Sequence, residues 1–396
     1  MTDSTRPFLV VYVVWHPAFS DGLAIAEILR QHFRRKLYEN IAGGTGLSVI
    51  YRYVLAPEST QPLPIDLADA DTSAIVVLVD NNLVGDTAWT AYVQELCRRT
   101  EAAGLGTRVF PVEIDAGVLG RLGTNEQALL WARWEGELAE RGRRLTAALT
   151  YAFCRLLRHY LEHLKRPEEE EEALEAYLKK VRIFLSHSKH DRHGEDIARN
   201  VRSRLHNTPG MDSFFDVYDI PAGLRFQKIL IHNVRVSAMV AIHTDSYSSR
   251  EWCRKEIIEA KRWHVPLVVA NSISDIDERG FPYMGNVPVV RLEPDGADRI
   301  DFVIARLLDE VLKDFLWRCR IALELSDENR DPSVIFVPRP PELISLASLP
   351  PEADVPNPVI VYPDPPLSAE EERLFAEISP RVQLRSLTEW KAGAVR

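Results

Sequence analysis

Trp252 and Glu256 stand four residues apart in SSREWCRKEIIEA, the segment from Ser248 to Ala260. On a helix that spacing places an aromatic plate and a carboxylate on one face, one turn from each other. A carboxylate in that position can stabilise positive charge developing on a bound molecule. Plainer readings exist: a helical glutamate is ordinarily solvated, and a tryptophan ordinarily anchors its helix in the core. A second polar group, Ser186 to Asp191, follows the apolar run Val181 to Leu185. In open parallel sheets, ligands bind in the crevice at the carboxyl ends of strands, so helix and loop can frame one cleft. His187, His190, His193, His232 and His243 crowd this region without ligand spacing on a helix face. They read as ordinary surface or core histidines.

The elements that must carry these residues come from periodicity. Short β-branched runs alternate with amphipathic stretches twice over, the pattern of α/β units around a buried parallel sheet. In the first half, strands are expected at Leu9 to Val14, Ser48 to Val54, Ala74 to Val79 and Gly106 to Ile114. Helices are expected at Gly22 to Arg35, with Leu23, Ile25, Ile28 and Leu29 on its apolar side, and at Trp89 to Glu101. In the second half, strands are expected at Val181 to Leu185, Ser213 to Tyr218, Ser237 to Ile242 and Pro266 to Ala270. Helices are expected at Gly194 to Leu205, Ile229 to Val236 and Ser249 to Trp263. A long helical stretch, Asn125 to Lys165, with Leu145, Leu149, Phe153 and Leu157 at helical spacing, leads to five consecutive glutamates, Glu168 to Glu172. Such a run reads as a solvated linker or helix start and marks the boundary between the halves. After a helix at Ile300 to Leu323 the chain turns proline-rich, with strand-like Val334 to Val337 and Val359 to Tyr362 and a helix at Ala369 to Ile378. The expected division is 1–124, 125–180, 181–325 and 326–396.

The chain has 396 residues, 46% of them hydrophobic, and a formal net charge of −10. That length supports more than one core, and that charge argues against a nucleic-acid backbone as main partner. Cys97, Cys154, Cys253 and Cys319 show no metal or redox spacing, which points to reduced thiols in a cytoplasm. The N-terminal stretch lacks a basic, then continuously apolar, leader pattern. No apolar run approaches the roughly 18–20 residues of a membrane span.

Three blocks in order resemble one family. VRIFLSHSKHD (Val181 to Asp191), FFDVYDIPAGLRF (Phe214 to Phe226, with Asp216, Asp219 and Gly223) and SSREWCRKEIIEA are similar to the opening strand, the second strand with its loop, and the Trp-Cys-x-x-Glu helix start of TIR (Toll/interleukin-1 receptor) domains of the NAD-consuming kind. The resemblance implies an α/β fold of two successive flavodoxin-like (TIR-type) domains with parallel sheets, joined by the helical segment, plus a small Pro-rich C-terminal α/β extension. It implies an NAD glycohydrolase with Glu256 catalytic and with Trp252, Phe184, Ser186, His187, Asp216 and Gly223 in the substrate site. NAD is then substrate rather than cofactor, and no metal is required. The product is ADP-ribose or a cyclised form of it. The family further implies self-association through TIR domains, an activating ligand or partner protein, and a role as a regulated prokaryotic anti-phage effector. Many TIR domains act only as scaffolds through homotypic contacts. That rival reading stands beside the enzyme, as does a sensor that binds nucleotide without turnover.

The halves also resemble each other, VSAMVAIHTDSYSSREW (Val236 to Trp252) lining up with TSAIVVLVDNNLVGDTAW (Thr72 to Trp89). With Trp89 matched to Trp252, Val93 falls at the place of Glu256. The first half therefore reads as a degenerate TIR-like or flavodoxin-like domain that senses, binds or assembles.

Overall fold

The computed structural model describes residues 7–34, 46–57, 59, 61–104, 106–165, 181–207, 211–214, 238–274, 282–292, 299–325 and 331–393. The chain divides into two units, Met1–Leu178 and Lys179–Arg396.

In the first unit four parallel strands, β1 (Leu9–Trp15), β2 (Ser48–Arg52), β3 (Thr72–Val79) and β4 (Thr107–Glu113), lie in the order β2-β1-β3-β4. Every residue of β1 and β3 is buried, which is why the central strands read as unbroken apolar runs instead of alternating ones. The helices are α1 (Gly22–Phe33), α2 (Asn81–Gly85), α3 (Thr87–Ala102), α4 (Leu119–Leu122) and α5 (Leu138–Lys165). The Asp86 carboxylate accepts from the amides of Ala88 and Trp89 and so starts α3. Trp89, Val93 and Leu96 then pack with Val14 and Val77 in one core.

Two expectations fail here for local reasons. Leu23 was placed on the apolar side of α1, yet it is 56% exposed. Gly22 seats so closely on Trp15 that a Cβ would lie 2.2 Å from Cδ1 of the indole. That contact sets the rotation of α1, and Ile25, Ala26, Leu29 and Phe33 take the buried face. The long helix begins at Leu138, not Asn125. Leu129 instead bridges to Val112, Trp131 is buried in a short 3-10 turn, and Gly136 has φ of 105°. The expected apolar stripe of α5 is fully buried, and Phe153 meets Phe33 of α1 with ring centres 5.1 Å apart. Through such contacts α5 is built into the first unit.

The second unit opens with five parallel strands, β5 (Val181–Ser186), β6 (Met211–Phe214), β7 (Ala238–His243), β8 (Leu267–Asn271) and β9 (Val289–Arg291), ordered β6-β5-β7-β8-β9. Helices α6 (Arg192–Asn207), α7 (Glu251–Arg262) and α8 (Ile300–Glu324) accompany them. Chain direction across the sheet reverses between β5 and β7, the switch point at which α/β folds open a crevice. Strand β9 was not anticipated, being three residues long and largely exposed. The expected helix Ile229 to Val236, the acidic run Glu168 to Glu172 and the part of the expected Ser213 to Tyr218 strand beyond Phe214 lie outside the described residues.

The proline-rich extension folds as a parallel sheet β10-β11-β12 (Val334–Phe336, Val359–Tyr362, Gln383–Ser386) with α9 (Leu343–Leu346), α10 (Ala369–Ile378) and α11 (Leu387–Lys391). Ser368 and Ser386 each start a helix with a capping box. So short a segment makes a marginal core alone. Trp317 and Ile321 of α8 complete it by packing with Val361 and Leu387. Polar ties reach α7 as well: Lys261 Nζ lies 2.6 Å from Glu342 Oε2, and Arg339 donates to the Val265 carbonyl at 3.0 Å. Among the described residues no helix is long and apolar enough to cross a membrane.

Candidate active site

Strand β5 ends at Ser186, beside Ala241 of β7. By strand alternation Ser186 points to the same side of the sheet as Phe184, which packs with Met239, Ala241, Tyr247, Cys253 and Ile257 under α7. On α7, Cys253, Glu256, Ile257 and Ala260 form the buried stripe. Lys261 is buried as well, its ammonium turned to Glu342 and the Gly285 carbonyl, and Glu256 is the carboxylate of this buried face, directly over the end of β5.

Its partner is there: the Ser186 hydroxyl donates a hydrogen bond to Glu256 Oε2. Ser186 Oγ is also 2.5 Å from the hydroxyl of Tyr247, in the loop between β7 and α7. Glu256 keeps 8% of its surface exposed, whereas Ser186 and Tyr247 keep 1% and none. Burial pushes the Tyr247 phenol well above its ordinary range, with the charges of Cys253 and Glu256 adding to the effect, so Tyr247 stays a neutral donor. His243, at the end of β7, sets its ring edge-on to Tyr247 at 5.7 Å and lies 2.8 Å from Ser248 Oγ. The Cys253 thiol contacts the His187 carbonyl at 3.6 Å, fastening α7 to the loop after β5.

Trp252 behaves differently. It is 40% exposed at the first turn of α7, and the Lys255 ammonium lies 4.9 Å over its ring while also pairing with Glu251 at 2.6 Å. Four-residue spacing brings Trp252 to the rim and Glu256 to the interior, because successive i,i+4 positions drift around a 3.6-residue helix. The two do not share one equally open face. Phe184 has no exposed surface and forms the floor beneath the site. Ser186 is turned toward Glu256, and His187 is 7% exposed beside it. Asp216 and Gly223 lie outside the described residues.

The loop after β5 makes a second polar cluster at the same end of the sheet. Asp191 caps α6, accepting from the His193 amide at 3.0 Å and from Ser246 at 3.3 Å. Burial alone would push the Asp191 carboxyl up, but hydrogen bonding from Thr244, from the Gly194 and His193 amides and from Ser246 outweighs it and holds the carboxyl below its usual range. His193 Nε2 lies 2.8 Å from Ser272 Oγ. Among the described residues no group of three or more His, Cys, Asp or Glu is arranged to hold a metal ion.

Tyr247 escaped sequence reasoning, since a tyrosine in a polar loop gives no periodic signal. The matched first-half segment carried one: aligning the ends of β3 and β7, Val79 with His243, and the starts of α3 and α7, Thr87 with Glu251, puts fully buried Leu83 opposite Tyr247. The same alignment corrects the match of the helices by one residue. Buried Trp89 corresponds to Cys253, not Trp252, and Tyr92 takes the place of Glu256. Strand registers place Val14 opposite Ser186. The first unit thus has Val14, Leu83 and Tyr92 where the second has Ser186, Tyr247 and Glu256. A groove of about 470 Å³ in the first unit is lined by Cys97, Arg98, Arg108 and Glu126, among others. Burial, with Glu126 beside it, pushes the Cys97 thiol up to about 12, so it offers no ready nucleophile.

No curated protein matches the chain. The model of the TIR domain family matches residues 183–308, from the third residue of β5 into the first half of α8. The second unit of this chain therefore carries a TIR domain.

Proposed function

We propose that the TIR domain cleaves the bond between nicotinamide and ribose in NAD, with Glu256 as the catalytic residue. The observation that supports this reading most is the buried Glu256 carboxylate, held by Ser186 at the carboxyl end of β5 beside the switch point of the sheet. The nicotinamide nitrogen is cationic in NAD and becomes neutral as it leaves, so departure needs no acid. Positive charge passes to the ribose, and a carboxylate in a poorly solvated site stabilises it far better than one in water. One glutamate then serves where ordinary glycosidases use two carboxyl groups.

Trp252 supports the same reading. Its exposed face already holds a cation, the Lys255 ammonium, and a pyridinium ring is a flat cation of the same attraction. Self-association through TIR domains, triggered by a ligand or partner protein, is the control that such an enzyme needs, and defence against phage is a setting that fits it. The first unit, with Val14, Leu83 and Tyr92 and hence no carboxylate at the matching positions, serves as a regulatory or assembly module in this scheme.

The test follows nicotinamide release from NAD by the full chain, from dilute solution up to concentrations at which it self-associates. The proposal expects release that rises with association. No release at any concentration, with or without crowding agents, would instead favour a TIR scaffold.

A further inference from the structure

We infer that Tyr247 and Ser186 form a directed hydroxyl relay that positions the Glu256 carboxylate, making both of them positioning residues for whatever chemistry Glu256 performs. The inference rests on the reading of Glu256 as catalytic, and it changes the role expected of Ser186 from substrate contact to support.

The argument is one of hydrogen counting. A serine hydroxyl has a single hydrogen. Ser186 spends it on Glu256 Oε2, so its contact with Tyr247 must run the other way, with the phenol donating to Ser186 Oγ. The order Tyr247 to Ser186 to Glu256 is then fixed, and it ends on the accepting oxygen, Glu256 Oε2. A donor polarised by a second donor is a stronger donor, so each hydroxyl reinforces the next. Burial keeps Tyr247 protonated, which preserves the direction of the chain.

Position adds to the case. The three residues come from three separate elements: the end of β5, the loop after β7, and the second turn of α7. Ser186 and Tyr247 are too deeply buried to meet a ligand, so the Tyr247 hydroxyl acts on Ser186 and the Ser186 hydroxyl on Glu256. In the first unit the relay and its carboxylate are replaced together, Val14 and Leu83 packing in the core and the Tyr92 hydroxyl donating to the Leu63 carbonyl instead. That is the pattern expected of a set that works only as a set.

The experiment uses the full chain carrying Tyr247→Phe, Ser186→Ala or Ser186→Thr. Phenylalanine removes one hydroxyl and keeps the ring against His243, so Tyr247→Phe is expected to fold with an unchanged far-ultraviolet circular dichroism spectrum. Its kcat for nicotinamide release should fall about tenfold, as for one lost polar contact, with KM within about twofold. The acid limb of its pH profile should move to higher pH, because the carboxylate loses support. Ser186→Ala should fall further, by about ten- to a hundredfold, with Ser186→Thr recovering part of the loss. A second readout does not need turnover: the carboxyl carbon resonance of Glu256, identified by its loss in Glu256→Gln, should titrate at higher pH in Tyr247→Phe than in the parent. A parent that releases no nicotinamide would sink the proposed function while that resonance still tests the relay. Unchanged titration and an unchanged pH profile in a folded Tyr247→Phe would overturn the relay itself.

Discussion

Acidification should weaken the second unit through His264, and a single substitution should isolate the effect. His264 follows α7 with φ of 52°, its amide bonding to the Lys261 carbonyl and that of Val265 to the Ala260 carbonyl. That pair of bonds is the Schellman ending of a helix, with His264 in the left-handed position. Burial, together with the guanidinium groups of Arg339 and Arg318, lowers the imidazole from 6.5 to about 4. The sign follows from proton uptake. Between about pH 6.5 and 4 the unfolded chain binds a proton that the folded chain refuses, so stability is complete above 6.5 and declines toward 4. The full shift corresponds to a ceiling of ~3 kcal/mol, and partial exposure of the ring reduces the expected loss to about 1–2 kcal/mol. Asparagine tolerates the left-handed position and does not titrate. In urea unfolding at pH 7.5 and pH 5, read by circular dichroism and fitted for two units, the parent should lose about 1–2 kcal/mol more than His264→Asn. Equal losses in the two proteins would refute the reasoning.

Other consequences are as definite. Trp252→Ala should raise KM for NAD with little change in melting temperature, because the ring lies at the rim outside the buried core; Lys255→Met, which uncovers that ring, should lower KM by up to about fivefold. Trp317→Ala should cost about 3–5 kcal/mol, seen as faster hydrogen exchange across residues 331–393, since Trp317 completes the core of the extension. Gly22→Ala should lower the first unit's unfolding transition by about 1–3 kcal/mol, because the added methyl meets the Trp15 ring. Protection of the α1 amides from exchange would report the same loss.

Much of the fold was legible in the sequence because the central strands are buried on both faces and so leave continuous apolar runs, as at Val10 to Val14 and Ala238 to Ile242. Short exposed elements left no such trace: β9 presents two exposed residues of three, and β12 with α11 is marked only by the Ser386 and Glu389 capping pair. Leu23 faced outward because a glycine contact fixed the helix rotation, a tertiary effect that no helical pattern encodes. At the candidate site, the motif drew attention to Trp252 and Glu256, but not to their unequal depth. Nor did it indicate Tyr247, whose meaning depends on a hydrogen bond to a residue sixty-one positions away. Long-range pairing of that kind is set by topology rather than by local spacing.

The most direct test of the account compares the parent with Glu256→Gln at equal folded concentration, following nicotinamide release from NAD in the self-associated state. Glutamine keeps an oxygen that can accept from Ser186 and so keeps the fold, while removing the charge on which the chemistry depends. The account predicts turnover by the parent and a fall of about a hundredfold or more in the variant, the scale of losing one electrostatic stabiliser. Equal turnover by the two proteins would contradict it.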